Sequence, residues 1–173
     1  MSDGRTAADV GTAGDPVERV RAALLAAGHP DTIRAHPAGT RSAADAAAAI
    51  GCDVAQIAKS VAFRAGDGGA VVVVASGADR VDRARVAALL GVPVRAADPA
   101  WVAEATGYAP GGVPPLPHAP ATRVVVEETL FAHERVWAAA GGPTHVFETT
   151  AAELLRMTGG VRASVRVEVA PVG

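Results

Sequence analysis

The sequence predicts a mixed α+β domain, with about seven short strands in one mixed, partly closed sheet and short helices packed outside it. Three observations carry that expectation. Segments of strand periodicity are interrupted irregularly by capped helical segments, without the strict strand–helix alternation of a doubly wound parallel sheet. Half of the 173 residues are hydrophobic, enough to bury a core and too many for a disordered chain. The length suits one compact unit, and no segment repeats itself.

The elements follow in order. Residues 1–14 show neither an apolar run nor any periodicity and read as a flexible tail, which leaves 15–173 as a single domain. Asp15-Pro16 supplies a cap and a first-turn proline for a helix whose Val17, Val20 and Leu24 share a face, closed by Gly28. Ile33 to His36 is a short strand. Ser42, with Asp45 three residues on, opens an alanine-rich helix that Gly51 ends. From Ala58 to Ala65 the period becomes two: Lys59, Val61 and Phe63 fall on one face, Ser60, Ala62 and Arg64 on the other. Gly66 to Gly69 is a turn, and the apolar Ala70–Ala75 completes a hairpin.

A helix over 82–90, stopped by Gly91, precedes a short strand at 92–96. Asp98-Pro99 caps a helix carrying Trp101 and Val102 and closed by Gly107. Strands are expected near 122–127, 134–139 and 144–148. Thr150 and Glu153 form a capping box for a helix bearing Leu154, Leu155 and Met157. Val161, Ala163, Val165, Val167 and Val169 then alternate as a last strand.

Composition excludes several functions. Sixteen basic and eighteen acidic residues give a formal charge of −2, against the many phosphate contacts of a DNA binder. Six aromatic residues are too few for a base-stacking platform. No apolar run approaches the length of a membrane span. Cys52 is the one cysteine, so no internal disulfide or C-x-x-C zinc site exists, and it reads as a small buried hydrophobe. His29, His36, His118, His133 and His145 lack metal-ligand spacing and read as loop or surface residues; no metal or cofactor is expected. The usual serine-hydrolase, phosphate-loop, zinc-protease and dinucleotide signatures are missing.

Two features stand out. Fifteen of the sixteen basic residues are arginine, and Lys59 is the only lysine. In a chain drifting toward arginine, a surviving lysine is either an accident or a group whose compact ammonium a guanidinium cannot replace. The second feature is Gly107-Tyr-Ala-Pro-Gly-Gly-Val-Pro-Pro-Leu-Pro-His118. Pro110-Gly111 suits a type II turn. Gly111 and Gly112 expose backbone N–H groups, while Pro114 and Pro115 stiffen the chain. A rigid loop with uncovered amides suits an oxyanion or carbonyl site; a stiff connector is the other reading.

Four segments together carry a resemblance: Gln56-Ile-Ala-Lys-Ser-Val-Ala-Phe63, Thr106-Gly-Tyr-Ala-Pro-Gly-Gly-Val-Pro-Pro115, Val136-Trp-Ala-Ala-Ala-Gly-Gly142 and Leu154-Leu-Arg-Met-Thr158. In order and spacing the chain resembles the YbaK/prolyl-tRNA-synthetase-associated editing domains over about residues 16–169. The resemblance implies a β-barrel-like mixed sheet with outer helices. It implies a cytoplasmic hydrolase, acting in trans on mischarged aminoacyl-tRNA for translation fidelity, without metal or cofactor. Its partners would be the tRNA acceptor end and a synthetase. The family's lysine falls on Lys59, as catalytic residue, and its substrate-binding G-x-x-x-P loop on Gly111, Gly112, Val113, Pro114 and Pro115. The Cys-tRNA-Pro branch carries an aspartate in the penultimate strand, whereas Pro143-Thr-His-Val-Phe147 has no acidic residue, so that branch's substrate does not carry over. The alternative is a catalytically silent module of the same fold that binds tRNA or a synthetase.

Overall fold

The computed structural model describes residues 14–36 and 42–168. The expected flexible tail, apart from Gly14, and Val169 of the expected last strand lie outside the described residues. Among these residues five α-helices form where capping chemistry starts them. Helix α1 (Pro16–Ala26) begins at Asp15, whose carboxylate accepts from the Val17 N–H at 2.8 Å, satisfying a donor with no partner inside the helix. Ser42, Asp82, Asp98 and Thr150 do the same for α2 (Ala43–Ile50), α3 (Arg83–Leu90), α4 (Pro99–Thr106) and α5 (Ala151–Thr158). Glycine in the left-handed conformation ends α2 at Gly51, with φ +84°, a geometry that side chains resist.

Among the described residues eight strands pair into one sheet: β1 (Ile33–Ala35), β2 (Ile57–Ala65), β3 (Ala70–Ser76), β4 (Val94–Ala96), β5 (Arg123–Glu127), β6 (Val136–Ala139), β7 (His145–Thr149) and β8 (Val161–Ala163). Their order is β1-β7-β6-β2-β3-β5-β8, with β4 pairing β2 off that path. The β6–β2, β3–β5 and β5–β8 pairs are parallel and the rest antiparallel. The end strands β1 and β8 do not pair with each other, so the sheet is mixed and incompletely closed.

Strand β3 reads as a continuous apolar run because both its faces are buried. Val72 and Val74 face a core made with Val20 and Leu24 of α1, Phe147 of β7 and Leu154 of α5. Val71 and Val73 face a second core with Phe63 of β2 and Val86 of α3.

The last strand differs from its expectation. Ordered pairing stops at Ala163, and an isolated bridge joins Arg166 to Val81. The alternating valines do not line one buried face: Val165 is buried, but Val161 and Val167 are exposed. The cause is Glu127, a fully buried carboxylate that accepts the Val165 N–H at 2.6 Å. A buried carboxylate must be hydrogen-bonded, and drawing Val165 inward to do so ends the β5–β8 ladder.

Candidate active site

The sheet opens where β2 and β6 part. Their parallel pairing covers only Ile57–Trp137 and Ala58–Ala138, and β4 takes the same edge of β2 again at Phe63. Between them a cleft of about 460 Å³ opens beside Lys59 and Ser60, bounded by Trp137 and Ala139 of β6, His145 of β7 and Ala46 of α2. Helix α2 reaches this position because Gly77, just after β3, has no side chain. A Cβ there would lie 2.7 Å from the Ala43 Cβ and from the Val54 carbonyl.

Lys59 sits on the face of β2 that continues into Val61 and Phe63. It is half-buried, and its ammonium donates to the Asp79 carbonyl at 2.5 Å. The Asp79 carboxylate accepts instead from the Thr129 hydroxyl at 2.7 Å. Burial lowers the Lys59 pKa; the Asp79 carboxylate works against that shift and Arg80 with it. The ammonium is held by one carbonyl and keeps other donors, on a residue that borders the cleft.

Gly111 and Val113 also border the cleft. The Gly112 N–H donates to the Ala109 carbonyl at 3.0 Å, and Gly111 has φ +87°, as a type II turn over 109–112 requires. The Gly112 amide is therefore engaged, contrary to the expectation that it stands open to a ligand. Gly112 itself is buried against the β6–β7 turn, where a Cβ would come 3.1 Å from the Gly142 Cα. Gly141 in that turn has φ +95°, and its missing Cβ would lie 2.6 Å from the Pro16 carbonyl at the start of α1. Backbone thus stacks on backbone from α1 through the β6–β7 turn to the loop. Pro114 and Pro115 are buried behind it, and Pro115 borders a separate groove with α1 and α5.

Several cleft residues were not singled out in the sequence. His36 and His145 border it, although both read as loop or surface residues. They come together because β1 pairs β7 with Ala35 opposite His145, a long-range register that local spacing does not encode. The His145 ring lies 3.1 Å from the Thr144 hydroxyl. The Ser60 hydroxyl and the Trp137 indole N–H are shielded from solvent with no hydrogen-bond partner among the described residues. Among those residues no Asp or Glu borders the cleft, and no cluster of His, Cys, Asp or Glu suits a metal ion. Cys52 is half-buried, and burial followed by the Asp53 charge pushes its thiol pKa up, which opposes a thiolate nucleophile. No described helix is long and apolar enough to cross a membrane. The described residues bordering the cleft are thus one lysine, two serines, two histidines and a tryptophan among smaller or apolar residues, with no carboxylate and no thiol among them.

Comparison with known proteins shows the family and the fold. A family model described as the aminoacyl-tRNA editing domain matches residues 37–157. The chain is 32% identical over 109 residues to the uncharacterized protein YwhH of Bacillus subtilis (strain 168), spanning 63% of this chain and 69% of that protein. The crystal structure of a proposed trans-editing enzyme for prolyl tRNA synthetase superposes with a TM-score of 0.83 at 38% identity, covering 90% of this chain and 99% of the other. The hypothetical protein APE2540 superposes at 0.81 with 32% identity, covering 86% and 99%.

Proposed function

Because the chain belongs to the family of aminoacyl-tRNA editing domains, we propose that residues 15–173 hydrolyse the ester of mischarged aminoacyl-tRNA in trans, in the cytoplasm and without a metal. The need is physical: a synthetase pocket separates amino acids differing by one methylene only about 10–200-fold, so a second hydrolytic sieve adds what binding cannot. The supporting observation is that Lys59, Gly111 and Val113 border one cleft.

In this reading Lys59 binds the phosphate or ester region of the terminal nucleotide as a point charge. The Gly111 and Val113 amides orient the ester carbonyl and stabilise negative charge as it develops on its oxygen. Gly112, Pro114 and Pro115 shape and stiffen that loop. Water adds to the carbonyl carbon, the bond to the ribose oxygen breaks, and that oxygen takes the proton; free amino acid and uncharged tRNA leave. A single-stranded acceptor end entering the cleft needs no broad basic surface, in keeping with the −2 charge. In the same reading the loop at 111–115 excludes side chains too large for the sieve. A synthetase is the natural source of the mischarged substrate.

The test is a deacylation panel of mischarged tRNAs with the purified protein. Hydrolysis of at least one small aminoacyl ester above the uncatalysed rate is expected; none would sink the enzymatic reading. One observation favours the silent binding module instead: Lys59 is tied to a backbone carbonyl, and no carboxylate among the described residues borders the cleft. Tight binding of a charged tRNA whose ester then survives intact would select that second reading.

A further inference from the structure

Between Gly107 and Thr122 the chain has to hold two amides at the cleft with few hydrogen bonds of its own. Pro114 and Pro115 carry no N–H, and the Gly112 N–H is spent on the Ala109 carbonyl. What grips the loop from behind is His118. Its Nε2 lies 2.8 Å from the Pro114 carbonyl, and a carbonyl only accepts, so Nε2 carries the hydrogen. Its Nδ1 is shielded from solvent with no partner among the described residues. A proton there would be a buried, unpaired donor, which disfavours the charged ring. Burial accordingly lowers the His118 pKa.

The ring is itself held in place. Tyr108, 2% exposed, meets it edge to face with centroids 6.1 Å apart at 81°. The Arg19 guanidinium of α1 lies 4.5 Å from the Tyr108 ring centre and donates to the Gly107 carbonyl at 3.0 Å. A continuous set of contacts therefore runs from α1 through Arg19, Tyr108 and His118 to Pro114.

We propose that His118 is the positioning residue of the cleft loop: as the neutral Nε2–H tautomer it holds the Pro114 carbonyl and thereby fixes the Val113 and Gly111 amides toward the substrate. The stiffness of the segment transmits the grip. Pro114 and Pro115 have fixed φ, and Val113 precedes a proline and is confined to extended conformations. Few free torsions remain between the carbonyl that His118 holds and the Val113 amide, and the turn hydrogen bond from Gly112 to Ala109 restrains the two glycines beyond it. His118 touches no reacting atom in this scheme. Its catalytic effect rests on the deacylase reading above; its grip on the loop does not.

The experiment compares His118→Gln, whose side-chain amide restores a donor near the Nε2 position, with His118→Phe and His118→Asn, which do not. On the charged tRNA that the unaltered protein hydrolyses fastest, the Phe and Asn variants are expected to lose on the order of 10- to 100-fold in kcat, the scale for a misplaced catalytic group, with KM nearly unchanged. His118→Gln is expected to recover most of the rate. Amide exchange of the 107–118 peptide should quicken in the Phe and Asn variants, stay slow in Gln, and leave β2 and β3 unaffected. A Phe variant with unaltered kcat, a Gln variant as impaired as Phe, or loop exchange indifferent to all three would overturn the proposal. If the unaltered protein hydrolyses no charged tRNA, the deacylase reading falls, and the exchange measurement alone still decides whether His118 holds the loop.

Discussion

The two halves of β2 share one partner, β3, yet do opposite things. From Val61 to Ala65 the strand packs Phe63 and Ala65 into the second core and gains β4 as a second neighbour. From Ile57 to Ser60 it has β6 for two residues only, and from Lys59 to Ala62 no described strand takes that edge. An unpaired strand edge is a liability in a sheet; here it is where the cleft opens. The lone lysine and a serine with an unpartnered hydroxyl stand at that point, and Phe63, three positions after the serine, is already buried in the second core. Chemistry and packing are separated within nine residues by which strand lies alongside.

That separation can be broken from either end. Lys59→Ala is expected to reduce deacylation by at least about 100-fold in single-turnover assays, the scale of a lost charge-stabilising group, while thermal unfolding shifts little. Lys59→Arg should fail comparably, because a planar fork does not fit where a compact ammonium did. An Arg variant with unaltered turnover would reduce the lysine to an accident of composition. Phe63→Ala should do the reverse: it costs about 3–5 kcal/mol in urea unfolding by emptying a well-packed site, with kcat per folded molecule intact.

Gly112→Ala sharpens the boundary from the loop side. Its new methyl would meet the Gly142 backbone, which cannot rotate away as a side chain would. The expected loss is about 1–3 kcal/mol, and the displaced loop should also lower turnover. The smallest effect lies at the far end of β2, in the hairpin turn. The Arg123 side chain, joined by the Gly69 N–H, lowers the Asp67 pKa to about 2. A carboxyl depressed in the folded state adds stability above its ordinary value of 3.8 and loses it as pH falls from there toward 2. The pair is solvent-exposed, so the decline is slight. Acid titration of thermal stability should show it, and Asp67→Asn should remove it without touching deacylation.

Local chemistry was legible in the sequence. Asp15, Ser42, Asp98 and Thr150 cap the helices they announce, and Pro110-Gly111 makes the type II turn its residues require. Whatever depends on distant partners was not. Nothing near Ile57 shows that β6 runs parallel to it for two residues and then leaves. Nothing near His145 shows that His36 will stand beside it. Gly112 read as an open amide although the turn at Pro110-Gly111 commits its N–H locally to the Ala109 carbonyl; what lay out of reach was its close packing on Gly141 and Gly142, some thirty residues downstream. The alternation from Val161 to Val169 was a real period, overridden by one buried carboxylate at Glu127.

The stacking of bare backbone from Pro16 to Gly141 and from Gly142 to Gly112 also bears on how this sequence can vary. Alanine occupies 41 positions of the chain, and a glycine codon is one base change from an alanine codon. At Gly51, Gly91 and Gly159 the new methyl meets open space, and only the left-handed backbone resists it. At Gly112 and Gly141 it meets carbonyls and α-carbons at 2.6–3.2 Å. Mutational drift toward alanine is therefore blocked at the hinge points that hold the loop, while the cleft walls stay free to exchange one small residue for another. Substrate preference can wander in such a molecule without disturbing the frame that presents the substrate.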